Sequence, residues 1–434
     1  MKNFLYSKIP LNRSNTLKLL FYIFPIMMLC SSGYITVYIT VLTFFSLYYF
    51  LYNKIKIKIS ILDYLILIFF LSSITSTLIN FKEISTFMFL KSFLDIRFAI
   101  FFFITRLIFE NQIINIKRFS LITLLCTAFL SLNIFLQHLI GYDIFGHQPF
   151  DGRYNGLFES EAIAGSYIQK FYLISILFIF LSKNNEKVKP LFILIIIVFL
   201  GLGILMSLDR MPFIIYLFIT AILTLIFKGS RITFAFGLVL LLLILQILAN
   251  NYSVITTRYS HLISKFEILE TKNFFSNNQF YNNKSNYNFD IKKDDINNYL
   301  GLYRTSYEIF LKKPFFGSGI KSFGVQCNKL NINDKELLCL THPHNIYLEI
   351  IINQGIVGLL IFLTFISLLI KKYFCDFYLK KNIKEHMFNI FFLTILIAEL
   401  IPIRSYGSIF QTVNGSLFWF LLALASVKSY IKKN

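Results

Sequence analysis

No Cys-x-x-Cys pair and no His/Cys cluster occurs in this chain, which argues against a zinc site. No RNA- or DNA-binding motif occurs either, and the basic residues are scattered between apolar runs rather than gathered in one patch. Nor is the first apolar run expected to be a cleaved signal peptide: Lys2, Lys8, Arg13 and Lys18 are too spread out, and the run is one of many. Acidic residues are scarce, 22 against 42 Lys and Arg, giving a formal net charge of +20. What the 434 residues do hold is oil: 56% are hydrophobic and 18% aromatic, with a mean hydropathy of +0.66. Soluble globular domains are far less apolar.

Apolar runs of about 18 residues, each able to cross ~30 Å of hydrocarbon, recur along the chain. They lie near 17–31, 34–52, 61–79, 92–109, 119–140, 161–182, 190–208, 211–227, 231–249, 345–370, 387–403 and 409–427. The expected fold is therefore an all-α polytopic membrane protein with about twelve transmembrane helices. Lys and Arg in short loops set its orientation. One side carries the N-terminus, Lys54/Lys56/Lys58, Lys117/Arg118, Lys183/Lys187/Lys189, Lys228/Arg231, Lys371/Lys372/Lys380/Lys381/Lys384 and Lys428/Lys432/Lys433. The short loops opposite carry Lys82, Lys91, Arg153, Arg210 and Arg404. The first side is cytoplasmic on this rule, with both termini inside, and the positive charge suits the anionic inner leaflet.

Three regions follow: 1–249 with helices one to nine, a large external loop over 250–343, and 344–434 with helices ten to twelve. Loops of this length are usually functional or disordered. Residues 273–298, "NFFSNNQFYNNKSNYNFDIKKDDINN", have an Asn- and Lys-rich bias that predicts a mobile insert. Beyond it, Leu302, Tyr303, Ser306, Ile309, Phe310 and Lys313 keep helical spacing over 302–313 until Pro314 stops the run. Arg304 and Glu308 stand four apart, where they can pair. The plainest reading is an amphipathic helix lying on the outer leaflet. Gly317 and Gly319 then permit a tight turn. Cys30, Cys126 and Cys375 lie in or near spans; Cys327 and Cys339 lie twelve apart in the external loop, where an oxidising compartment allows a disulfide.

Ionisable residues at membrane depth are costly and default to functional candidates. Here they crowd the outer ends: Asp95 and Arg97, His138, Glu159 and Glu161, Asp209 and Arg210, His342 and His344, Glu399 and Arg404. Arg106 sits near an inner end, where it can snorkel. A transporter would more often place such groups near mid-membrane at broken helices. A polar ring roofed by a large loop points instead to an enzyme at the outer surface.

The sequence "THPHNIYLEIIINQGIVGLL", 341–360, carries the pattern His344-Asn345, nine residues, Gly355, two residues, Gly358. Structurally, Asn345 or Thr341 would cap the helix and the glycines would admit a neighbouring helix. Functionally, a helix N-terminus suits a phosphate, an imidazole there can take a hydroxyl proton, Arg210, Arg304 and Arg258 would supply diphosphate-binding forks, and Asn345 would be a further diphosphate or substrate contact.

This pattern resembles the signature of the O-antigen ligase and polymerase superfamily of bacterial inner membranes. Supporting pieces come in family order: "GRYNGLFESEAIAGSYI" at 152–168, "SLDRMP" at 207–212 and "YRTSYEIFLKKPFFGSGIKSF" at 303–323. The likeness covers roughly 150–370; Tyr307 departs from it, standing where a Trp is common, and so does the Asn-rich insert. It implies a GT-C-like glycosyltransferase architecture with one large periplasmic loop. It implies transfer of a glycan from an undecaprenyl diphosphate carrier, without cofactor or metal, at the periplasmic face of a Gram-negative inner membrane. The acceptor is lipid A–core for a ligase or another carrier-linked repeat for a polymerase. Membrane lipids are the remaining partner. Arg210 and Arg304 match arginines that hold the diphosphate, His344 matches the essential histidine as base or phosphate contact, and Arg153 matches a further family position. A ligase is the first expectation, a polymerase the second, and a polysaccharide flippase the contrasting class. A protein-glycosylating relative usually carries a longer C-terminal external region, whereas this sequence ends at Asn434.

Overall fold

Lipid offers no partner to a backbone N–H or C=O, so an apolar run within it must close its hydrogen bonds on itself. The computed structural model describes residues 13–55, 57–83, 86–159, 161–182, 189–252, 255–256, 259, 295–330, 337–379, 383–402 and 404–427. Among these the regular structure is helical, apart from an isolated bridge between Phe150 and Arg153. The helices are α1 (Arg13–Tyr22), α2 (Phe24–Met27), α3 (Ser32–Tyr52), α4 (Ile61–Ile79), α5 (Thr86–Leu94), α6 (Ile96–Glu110), α7 (Ile116–Ile140) and α8 (Ala164–Leu181). They continue as α9 (Lys189–Met206), α10 (Arg210–Ile226), α11 (Arg231–Asn251), α12 (Asp295–Lys312), α13 (Phe323–Asn328), α14 (Ile346–Leu379), α15 (Ile383–Glu399) and α16 (Thr412–Ser426).

A helix lies at each expected span, with local differences. Pro25 has no N–H to give and crowds the turn before it, so the first run is divided into α1 and α2. The fourth run opens as two helices, α5 and α6, that meet at Asp95. By length and composition, seven helices among the described residues can cross a membrane, against about twelve expected. The difference is one of length: α10 and α16 have 17 and 15 residues, ~26 and ~23 Å at 1.5 Å per residue. The expected insert at 273–298 lies outside the described residues as far as 294.

Aromatic side chains fill the centre. Trp419 on α16 is fully buried against Phe69 and Phe70 of α4, and its indole N–H donates to the Ile409 carbonyl at 3.1 Å. In contrast, α11 buries Phe234, Gly237 and Leu241 but leaves Ile232, Phe236, Val239, Leu243 and Ile247 exposed, an apolar face suited to lipid. Arg106 does not snorkel. It is buried and grips Asp63 of α4 with Nε at 2.8 Å and Nη2 at 2.6 Å, and it also donates to Glu110. A guanidinium at that depth costs less beside a carboxylate than alone, so the pair fastens α4 to α6.

Candidate functional site

The histidine helix α14 is broken at Gly355, whose φ of 67° and ψ of −164° suit glycine alone. The "PFFGSG" segment, 314–319, runs into the break. Ser318 N donates to Ile352 O at 2.8 Å and Gly319 N to Asn353 O at 3.1 Å. In return Pro314 O accepts from Ile356 N at 2.8 Å and Phe315 O from Val357 N at 3.3 Å. The loop thus takes over the bonds that the helix gives up. A Cβ on Gly355 would collide with the Phe315 carbonyl. The expected role of the glycines therefore changes: Gly355 admits loop backbone rather than a helix. Gly358 makes room for Gln354 of its own helix, which accepts from Ser72 Oγ of α4 at 2.7 Å. Further along α4, Ser76, Thr77 and Asn80 bind Gly319 N, Ile320 N and Gly317 O at 3.0, 3.2 and 2.9 Å.

The helix expected near 302–313 is α12, and one face of it packs on the rest of the protein. Leu302 and Ile309 are buried with Phe323, Cys327, Leu330 and Ile352, in a cluster that joins it to α13 and α14. Cys327 and Cys339 form a disulfide with Cα atoms 5.7 Å apart. The Thr305 hydroxyl receives Leu338 N at 3.1 Å, which fixes the approach to the histidines. Arg304 and Glu308 are on the exposed face of α12.

At the start of α14, Asn345 Oδ1 accepts from the amides of Tyr347 at 3.0 Å and Leu348 at 3.2 Å, while Nδ2 donates to Pro402 O. Its side chain is a helix cap that both ends secure. His344 precedes it with a φ of 53°, uncommon for a side-chain-bearing residue. Its carbonyl accepts from Tyr406 N at 2.8 Å. The His344 and His342 rings lie 4.1 Å apart. Burial lowers the His344 pKa below the usual 6.5, so its imidazole is neutral at pH 7. Burial, with His344 and Lys321 beside it, takes His342 down to about 4. Lys321 is in turn pulled down to about 8 by burial, with Asp95 opposing.

The third piece is the turn before α10. Asp209 at the N-cap position accepts from Gly165 N of α8 at 3.0 Å and faces Arg153 Nη1 at 3.4 Å. A side chain on Gly165 would meet Ser207 Oγ at 2.6 Å and Asp209 Cβ at 2.8 Å. Arg153 and the Arg210 turn are thus brought together through Asp209. Arg258 lies outside the described residues. Tyr259 packs edge-on against Phe213, one turn into α10.

Helix α8 connects this turn with the histidine. Gly165 holds Asp209, and five residues on, Lys170 Nζ donates to the Tyr406 hydroxyl at 2.7 Å. Tyr406 N holds His344. Five residues rise ~7.5 Å along a helix. The Arg153–Asp209 contact and, through the Lys170 and Tyr406 side chains, the His344 backbone are therefore both tied to the first half of α8. Of the other outer-end residues, Glu399 and Arg404 pair at 2.9 Å, His138 packs on the rings of Tyr154 and Tyr252, and Glu159 meets His147 at 3.1 Å. Lys321 and Tyr406 were not foreseen. Lys321 stands in a segment whose glycines drew attention, and Tyr406 carries no local signal. Among the described residues no three His, Cys, Asp or Glu side chains could hold a metal ion.

Residues 195–363 match the family described as O-Antigen ligase, a stretch that takes in Arg210, Arg304 and the whole histidine pattern. No curated protein matches the chain.

Proposed function

We propose that the chain, whose residues 195–363 match the O-antigen ligase family, passes a glycan from undecaprenyl diphosphate to lipid A–core. The site faces the periplasm of a Gram-negative inner membrane in this reading, on the side opposite the Lys-rich loops. The observation that supports it is that α8 ties both parts together: Gly165 binds Asp209 of the Arg210 turn, and Lys170, five residues on, reaches through Tyr406 to the His344 backbone. Cations beside a base are what displacement at a glycosyl diphosphate requires.

His344, neutral because buried, takes the proton of an acceptor hydroxyl as that oxygen attacks the anomeric carbon. The bond from that carbon to the carrier's diphosphate oxygen breaks, and the electron pair leaves with the diphosphate. Arg210 and Arg304, with Arg153 and Arg258 as further contacts, offset the charge that develops there. The broken α14 serves the same end, because its N-terminal segment is held by the Asn345 cap and the 314–319 loop as well as by its own helix. A neutral histidine favours the base over the phosphate contact.

A polymerase would use the same chemistry on another acceptor. The ligase reading rests on the one dominant external loop and its position before the histidine helix. Lipopolysaccharide banding in a deletion strain tests it. A ligase leaves no long chains on the core while carrier-linked polymer accumulates. A core bearing one repeat would mean a polymerase, and unchanged banding would sink both.

A further inference from the structure

Tyr406 holds His344 by its backbone amide, at 2.8 Å to the His344 carbonyl, and stands in a stretch between α15 and α16 with no helix of its own. Its side chain supplies what the backbone there lacks. The hydroxyl accepts from Lys170 Nζ of α8 at 2.7 Å and donates to Glu399 Oε2 of α15. Glu399 also receives Arg404 Nη1 at 2.9 Å, and Arg404 Nη2 reaches Gln169 Oε1 of α8 at 2.8 Å. The guanidinium lies over the Tyr406 ring, 4.7 Å from its centre. Lys170, Glu399, Arg404 and Tyr406 are all at most 4% exposed.

Three facts point the same way. The network is buried, so no member is on hand to touch a polar substrate. A buried ionic network contributes less net stability than an apolar packing of the same volume would, and its best-attested use is to fix one arrangement. Its outlet is His344, a side-chain-bearing residue at a φ of 53° that the preceding turn must hold against relaxation. The same stretch reaches α14 twice more, through Pro402 O to Asn345 and Leu400 O to Tyr347.

We propose that Tyr406, locked by Lys170, Glu399 and Arg404, is the positioning residue that sets where the His344 imidazole stands. The inference rests on the reading of His344 as the base. Placement errors of about 1 Å at a reacting group can cost up to about a hundredfold in rate. Loss of one anchoring hydroxyl should therefore lower turnover without touching donor affinity.

Tyr406→Phe isolates the effect, because the ring and the backbone amide to His344 both remain. The full chain, purified in nanodiscs, is given carrier-linked glycan from the producing strain and purified lipid A–core. Released undecaprenyl diphosphate is measured per mole of folded protein. We expect kcat to fall about tenfold with KM for the carrier-linked glycan unchanged. Arg404→Lys, which keeps the charge but not both bonds, should retain more turnover than Arg404→Ala. Wild-type kcat in Tyr406→Phe overturns the proposal, as does a loss confined to the yield of folded protein or to KM. His344→Ala serves as the control. If it still transfers glycan, the reading of His344 itself fails. If it is inactive while Tyr406→Phe is wild-type, the positioning role alone fails.

Discussion

The amide of Gly165 donates to the Asp209 carboxylate across 3.0 Å, with no space between α8 and the turn before α10 for a side chain. Gly165→Ala should push these elements apart. The cost is about 1–3 kcal/mol of stability, the range for overpacking. Because Asp209 also faces Arg153, transfer per folded protein should drop as well. Thermal unfolding of the purified variant, alongside its turnover, measures both. A variant as stable and as active as wild type would show that this approach is not needed.

Gly355 and Gly358 should respond differently to the same change. Gly355→Ala puts a side chain into a glycine-only conformation, about 1–3 kcal/mol, and against the Phe315 carbonyl. Gly358→Ala meets the Gln354 Cβ, so the helix must shift, but its backbone stays in an ordinary conformation. Melting temperatures should rank wild type, then Gly358→Ala, then Gly355→Ala. The reverse order would argue that the helix break is not what the glycine is for.

Reduction should loosen the loop. The Cys327–Cys339 bridge closes a short loop, worth about 3 kcal/mol in the chain-entropy view. It lies in the cluster that holds α12 to α14. Alkylation in membranes prepared without reductant should leave both thiols unlabelled, and reductant should lower the melting temperature. Full labelling without reductant contradicts the bridge.

These tests fall largely on features that periodicity does not encode. Hydropathy located the helices because lipid forces each apolar run to close its own hydrogen bonds. It did not mark Gly355 as a break, since the residues on both sides keep helical character and the loop that fills the gap comes from 314–319. It showed Asn345 as a possible cap, which the structure makes of it. The Arg106–Asp63 pair had a readable signal: opposite charges in two apolar runs, each too costly to stand alone. Tyr406 had none, because its meaning lies in contacts with Lys170 and His344, 236 residues apart from the first.

The pH profile separates a base from a phosphate contact. A base must be neutral, and burial puts the His344 pKa below 6.5. Transfer should therefore be flat across pH 6.5 and above and should fall only in acid, as the imidazole becomes protonated. A histidine acting as a cation would give the opposite slope, with activity rising as pH falls below 6.5. Initial rates of undecaprenyl diphosphate release across that range distinguish the two.

The most direct measurement is complementation of a deletion strain by His344→Ala, with membrane level checked by immunoblot. The Asn345 cap and the Tyr406 bond to the backbone both survive the change, so its structural cost should be about 1 kcal/mol or less. Loss of a general base should lower transfer by about a hundredfold or more. Arg210→Ala and Arg304→Ala should weaken it strongly, with Lys restoring part, because an ammonium cannot fork two phosphate oxygens. His342→Ala should matter less. The account predicts no long-chain glycan from His344→Ala at normal protein level; wild-type long-chain glycan at that level would contradict it.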